Sequence, residues 1–305
     1  MRYRQVSGVS LSVIGLGTWQ FGSVEWGYGD GYASREAGKI VERAVELGIN
    51  LFDTAESYGF GRSERILGEA IAGFRDRVVV ATKFAPFLPL PGAARSHARA
   101  SARRLGTEVI DLYQLHFPNP LVPIGYQARE LSSLIFGGDI RFAGVSNYSV
   151  QAWQEAQTVV DFPLVTNQVH FSLMHRRPLR ELIPYAVAHE KLIIAYSPLE
   201  QGALGGRYSP GHKPRDFRRL RRSFSDRSLL GTRPVVRKLE SLAKGYLATP
   251  AQVALAWTVS HEGVVSIPGA SSISQLELNA GAAEIQLTAD ERLDLTAIAE
   301  ANLGS

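Results

Sequence analysis

Four side chains able to hold or pass a proton stand at the ends of apolar runs or one short loop beyond: Asp53, Tyr58, Lys83 and His116. Asn50-Leu51-Phe52-Asp53-Thr54-Ala55-Glu56-Ser57-Tyr58 puts a carboxylate just past a β-type run and a phenol one short loop later. Val78 to Lys83 is a second buried-type run that ends on an amine, and Ile110 to Leu115 a third that is followed by an imidazole. Each residue alone has a plain structural use, as a helix cap, a surface charge or a loop histidine. Together they make the parts of a proton-transfer site at the mouths of successive strands.

The elements that must position these groups alternate along the chain. Gly59, Gly61 and Ser63 open a loop into a helical pattern over Glu64–Ile71, and Ser34 is placed to cap an earlier helix over Arg35–Leu47. Helical patterns follow at Ala94–Leu105, Gln127–Ile135, Ser149–Val159, Leu179–His189, Pro234–Leu247, Ala251–Ser260 and Ser274–Ala283. Between them lie strand patterns at Phe142–Val145, Val165–Gln168, Leu192–Tyr196 and Val264–Ile267. Tyr3–Val6 and Leu11–Leu16, joined by Ser7-Gly8, read as a strand, a turn and a second strand. Eight short apolar strands separated by amphipathic helices favour a parallel sheet closed into a (β/α)8 TIM barrel, an α/β fold with a short N-terminal β-hairpin. A capped helix from Thr288 to Ala301 lies outside the repeat.

The 305 residues are expected to form one domain, residues 1–305, with 45% hydrophobic residues to fill its core. The absence of cysteine excludes disulfides, thiol catalysis and thiolate metal sites, and no metal is expected. No signal-peptide core or run of about 20 apolar residues is present, so a soluble, cytoplasmic protein with no membrane partner is expected. A formal charge of +4 is too small to suggest nucleic acid, although nine Lys or Arg fall between Arg207 and Arg233. Arg95, Arg99 and Arg103 form a stripe that reads as a solvated helix face.

Gly48-Ile-Asn-Leu-Phe-Asp-Thr-Ala-Glu-Ser-Tyr-Gly59, Ala81-Thr-Lys83 and Ile110-Asp-Leu-Tyr-Gln-Leu-His116 resemble motifs of the aldo-keto reductase family, and the likeness runs from about Val13 to Asn279. The resemblance implies a catalytic tetrad of Asp53, Tyr58, Lys83 and His116 acting on the carbonyl of a small molecule beside a nicotinamide cofactor. Alkoxide charge that develops during hydride transfer must be neutralised by a positioned acid. Tyr58 is that acid, and the base in the oxidation direction. Lys83 is expected to favour the phenolate and lower a pKa ordinarily near 10. Asp53 would pair with the buried ammonium, and His116 would orient the carbonyl.

The resemblance also implies a cofactor cleft. Gly17, Thr18 and Trp19 line it near the nicotinamide end; Gly15-Leu-Gly17 lacks the third glycine and the helix of a Rossmann fingerprint. Asp53, Ser146, Asn147 and Gln168 face the ring, the last three as partners of the carboxamide, and Tyr196 stacks on it. Ser197, Pro198, Leu199, Gly202 and Leu204 pass the pyrophosphate with Arg207. Ile267, Gly269, Ser271, Gln275 and Asn279 form the adenosine-phosphate segment at a helix N-terminus. Gly269 and Gln275 stand where relatives often carry a cation, so Arg207, Arg215 and Arg218 are expected to supply the charge for NADP(H), with NAD(H) the alternative.

Trp19, Trp26, Tyr28, Phe84, Phe87 and Phe117 are candidate walls of an apolar substrate pocket. By the same resemblance, the short segment after the last helix is expected to leave that pocket more open on one side. Two other functions remain: a cofactor-binding regulatory or redox-sensing subunit with slow turnover, similar to potassium-channel beta subunits, and a hydrolase using Asp53 and Glu56 as paired carboxylates. The identity of the substrate, the direction of the reaction in the cell and the oligomeric state, monomer or weak oligomer, stay open.

Overall fold

The computed structural model of the chain describes residues 1–22, 30–85 and 93–303. Strands β1 (Tyr3–Val6) and β2 (Val9–Ser12) pair antiparallel in a hairpin. Eight parallel strands follow in chain order around one sheet: β3 (Leu16–Gly17), β4 (Leu51–Asp53), β5 (Val79–Phe84), β6 (Ile110–Leu115), β7 (Ile140–Ser146), β8 (Leu164–His170), β9 (Leu192–Tyr196) and β10 (Val264–Ser266). Backbone bonds join the last strand to the first: Gly15 N donates to Ser266 O at 2.7 Å, Ser266 N to Val13 O at 2.8 Å and Gly17 N to Pro268 O at 3.1 Å. The sheet is thereby closed as a (β/α)8 barrel.

The helices α1 (Trp19–Gly22), α2 (Asp30–Glu46), α3 (Arg62–Ile71), α4 (Ala93–Leu105), α5 (Ile124–Phe136), α6 (Val150–Thr158), α7 (Leu182–Ala188), α8 (Asp226–Gly245) and α9 (Pro250–Val259) connect the strands; after the last strand α10 (Ile273–Gly281) packs on α2 and α9, and α11 (Ala289–Leu303) packs on α8. In α2 the spacing of Ala37, Ile40, Val41 and Ala44 puts all four on the buried side. The N-terminus of α9 is fixed by Pro250 and a reciprocal cap between Thr249 and Gln252.

Inside the barrel Leu51, Ala81, Leu112, Val165, Leu192 and Val265 pack together with Val6 and Leu11 of the hairpin. The hairpin therefore stops the barrel end opposite Asp53 and Lys83. Asn50 holds it there, accepting from Ser12 N at 2.7 Å and donating to Ser10 O at 2.7 Å. All the strand C-termini are left at the open end, where the proton-transfer residues stand.

Several expected boundaries move. The strand expected over Leu11–Leu16 divides between the hairpin and the barrel, because Ser12 turns back to Asn50 while Gly15 turns to β10. Ser34 falls inside α2 rather than before it. The helix expected at Pro234 starts at Asp226, where the Ser225 hydroxyl accepts from Ser228 N, so Pro234 lies within it. Two short 3₁₀ turns, Phe217–Leu220 and Arg222–Phe224, occupy the basic segment. The span from Leu179 to His189 is a 3₁₀ turn at its start and helical only from Leu182. The arginine stripe is not wholly solvated: Arg95 and Arg99 reach Asp139 at 3.1 and 3.5 Å. Among the described residues no helix is long and apolar enough to cross a membrane.

Candidate active site

Asp53 is the last residue of β4, and the register sets it beside Gly17 on one flank and Ala81 on the other. Lys83 stands further along β5 and points to it. Lys83 Nζ donates to Asp53 Oδ1 and Oδ2 at 2.7 and 2.9 Å, to Thr54 O at 2.8 Å and to the Tyr58 hydroxyl at 3.4 Å. Lys83 is wholly buried, so these contacts replace the water an ammonium would otherwise hold. Burial opposes its charge, but Asp53 and Tyr58 together more than offset that and the Lys83 pKa lies above its ordinary value.

The Tyr58 loop reaches the site because of a close backbone approach. A Cβ at Gly59, where φ is 56°, would lie 2.1 Å from Gly22 O, so only glycine lets the loop press against α1. Hydroxyls lock the contact: Ser63 Oγ donates to Thr18 O at 2.8 Å and Thr54 Oγ1 to Ser63 Oγ at 3.0 Å. The Tyr58 ring then lies 6.2 Å from Trp19 and 6.1 Å from His116 between centroids.

The expected lowering of the Tyr58 pKa is reversed. Burial pushes it above the phenol value, Lys83 pulls it down and Asp53 raises it again, with a net upward shift. The phenol is consequently protonated at neutral pH, as an acid must be. His116 is placed by its own amide, which donates to Phe84 O at 2.8 Å. Burial, aided by the Lys83 charge, lowers its imidazole to about 3. It is a neutral ring, and its Nδ1 is buried without a partner among the described protein atoms.

The amides expected to meet a carboxamide converge here. Gln168 Nε2 donates to Asp53 Oδ2 at 2.6 Å, a role the sequence did not suggest. Ser146 Oγ donates to Gln168 O at 2.9 Å. Asn147, with φ 62°, donates to His116 O at 3.1 Å and accepts from the Tyr196 hydroxyl at 3.0 Å.

The phosphate-side residues divide into two groups. Ser197 has φ 50° and Gly202 φ 102°, which turn the loop after β9, while Pro198 and Leu204 are buried and Leu199 packs against the core. Arg218 grips Asp216 through Nη2 at 2.7 Å and Nε at 2.9 Å, and donates to Gln201 O at 3.1 Å. It is a brace for that loop, whereas Arg207 and Arg215 are exposed. Across the barrel seam Ile267 is buried, Ser271 N and Oγ donate to Gln275 Oε1 at 2.9 and 2.8 Å, and Asn279 Nδ2 donates to Gly269 O at 3.2 Å. Gln20, not anticipated from sequence, ties α1 to Ala270 O at 2.8 Å.

This set fits a dinucleotide. Amides and a phenol stand at one end, the α10 N-terminus at the other, and glycines 17 and 269 at a seam where an added Cβ would meet atoms 2.8 Å away. Glu56 is turned elsewhere, accepting from Ala85 N at 2.9 Å and pairing with His97 at 2.6 Å. With Asp53 held by Lys83, the paired-carboxylate arrangement of a hydrolase is not formed. Phe84 is buried against His97, and Phe117 lies 5.7 Å from His116; Trp26, Tyr28 and Phe87 fall outside the described residues.

The chain is 51% identical over 302 residues to an uncharacterized oxidoreductase of Mycobacterium tuberculosis, covering 99% of this chain and 94% of that one. Its structure is similar to that of the glycerol dehydrogenase AKR11B4 from Gluconobacter oxydans, with a TM-score of 0.90, 29% identity and coverage of 99% and 96%. It also resembles an aldo/keto reductase from Klebsiella pneumoniae solved with NADP and acetate, with a TM-score of 0.80, 29% identity and coverage of 97% and 95%. The sequence profile of the Aldo/keto reductase family matches residues 13–300, and with Asp53, Tyr58, Lys83 and His116 gathered at the barrel mouth this chain belongs to that family.

Proposed function

We propose that the protein is an NADPH-dependent reductase of aldehydes or ketones in which Tyr58 is the general acid. The observation that carries this reading is the Lys83 ammonium shared among Asp53, Thr54 and Tyr58. When bound, the dinucleotide supplies hydride to the carbonyl carbon. Neutral His116 donates a hydrogen bond to the carbonyl oxygen and fixes its direction, and Tyr58 gives that oxygen its proton. Lys83 stabilises the phenolate left behind. Asp53 keeps Lys83 charged and aimed, and Gln168 keeps Asp53 in place.

The preference for NADPH is supported by the basic segment containing Arg207 and Arg215 and by the Klebsiella relative crystallised with NADP. A panel of aldehydes and ketones run with NADPH and NADH tests it. The expected result is a kcat/KM at least tenfold higher with NADPH. A higher value with NADH would remove the role given to the arginines, and strong NADPH binding without turnover on any substrate would favour the regulatory-subunit reading.

A further inference from the structure

His170, His175 and Glu200 take no part in the proton-transfer site, yet the fold brings them together. His170 ends β8, His175 lies on the turn after it, and Glu200 follows β9. His170 Nε2 is 2.6 Å and His175 Nδ1 2.9 Å from the same Glu200 oxygen, Oε1. One donor atom from each of the three residues can be enclosed within 4.8 Å, and no other such group occurs among the described residues. The two imidazoles are stacked with centroids 3.7 Å apart and planes inclined by 23°, which holds the two nitrogens side by side against the Glu200 carboxylate.

The surroundings are built for a fixed carboxylate. Glu200 is 3% exposed, and among the described residues it pairs with these two imidazoles. A buried carboxylate needs positive charge beside it. Ser172 Oγ donates to Oε1 at 2.6 Å and Ser223 Oγ to Oε2 at 3.1 Å, the kind of outer contact that orients a ligating carboxylate. Ser172 Oγ also accepts from the backbone amides of Met174 and His175 at 3.1 Å, which shapes the turn that carries His175. Glu200 and Gln201 are both held at positive φ, 50° and 55°, a conformation that non-glycine residues adopt at a cost.

We propose that His170, His175 and Glu200 bind one divalent transition-metal ion of the zinc class. Two imidazoles and a carboxylate without a thiolate suit Zn²⁺, Co²⁺ or Ni²⁺, whereas Ca²⁺ and Mg²⁺ want oxygen donors only. Zinc–ligand distances of about 2.0–2.1 Å separate tetrahedral donors by about 3.3 Å. The ion would sit between the two imidazole nitrogens and Oε1, and the carboxylate would draw back by roughly half an ångström to make room for it. The His175 side chain, 49% exposed, leaves an open side for a water as fourth ligand. On its other face His170 stacks on Tyr196 at 5.3 Å, so the ion would hold that ring in place beside the cofactor cleft.

The test uses untagged full-length protein stripped with a chelator and titrated with Zn²⁺ against a chromophoric competitor. The expected result is one ion per chain, with affinity reduced at least tenfold in both His175→Gln and Glu200→Gln and unchanged in His189→Gln, an exposed histidine elsewhere. Zn²⁺ should also raise the melting temperature of the wild type but not of His175→Gln. Should Glu200→Gln fail to fold, the partly exposed His175→Gln alone decides. Binding at no fixed stoichiometry, or equal affinity in His175→Gln, overturns the site.

Discussion

Gln168 donates its side-chain amide to Asp53 at 2.6 Å, across the barrel from β8 to β4. The carboxylate that steadies the Lys83 ammonium is thus itself steadied by the residue expected to read the nicotinamide carboxamide. A bond to a buried charge is worth about 1.5–3 kcal/mol, or roughly ten- to hundredfold. Gln168→Ala should therefore lower kcat by at least tenfold and also weaken NADPH binding. Steady-state kinetics with a fluorescence titration of NADPH checks both; loss of binding with kcat intact would separate Gln168 from Asp53.

Tyr58→Phe keeps the ring that packs near Trp19 and His116 and removes only the hydroxyl. It should lower kcat by about two orders of magnitude or more, in the general acid–base range, and leave NADPH affinity within about twofold. Full turnover in this variant would assign the proton to another group.

Lys83 and Asp53 are buried as a pair. Lys83→Met leaves the carboxylate without its cation and should destabilise the fold by about 3–5 kcal/mol. Lys83→Met with Asp53→Leu should recover most of that loss in a denaturant melt while remaining inactive. A single variant as stable as the wild type would contradict the coupling.

The pH profile follows from two shifts of opposite direction. His116, lowered to about 3, has no proton to lose between pH 5 and pH 9, and Tyr58, raised above 10.0, keeps its proton through the same range. Single-turnover reduction should be level there and decline only as the phenol ionises at higher pH. A rise or fall centred near pH 6.5 would show His116 titrating in the working range.

Stability carries a separate signature from Lys191, whose ammonium donates to Gln157 Oε1 at 2.7 Å and Leu164 O at 3.0 Å and whose pKa burial lowers to about 8 from 10.5. Between those values the unfolded chain binds the proton and the folded chain does not, so this group makes stability rise with pH from about 8 to 10.5. Below that window it opposes folding. The difference in unfolding free energy between the wild type and Lys191→Met should shift in favour of the wild type across the window, and a constant difference would refute the shift.

Asp53, Lys83 and His116 were legible because each lies at or next to the point where an apolar run stops, and the drop in hydrophobicity marks a strand end as clearly in sequence as in space; Tyr58 follows one short loop later. The α2 stripe was legible for the same reason of periodicity. Backbone partners leave no such trace: Thr54 serves Lys83 through its carbonyl, and the seam from Val13 to Gly17 is made by amides and carbonyls of a two-residue strand and the residues just before it. The start of α8 was missed because Pro234 carries a strong first-turn signal, while the serine that caps the helix is hidden among arginines. Gln168 and Glu200 acquire their partners through contacts 115 and 30 residues apart in sequence, which no local pattern encodes.

The seam where β10 meets the start of the barrel is its thinnest join, resting on a few backbone bonds beside Gly17 and Gly269. A dinucleotide lying along those glycines would act as a rivet through the join. Hydrogen exchange of the Gly15, Gly17 and Ser266 amides would then slow on loading, and a lightly occupied protein would breathe first at this edge.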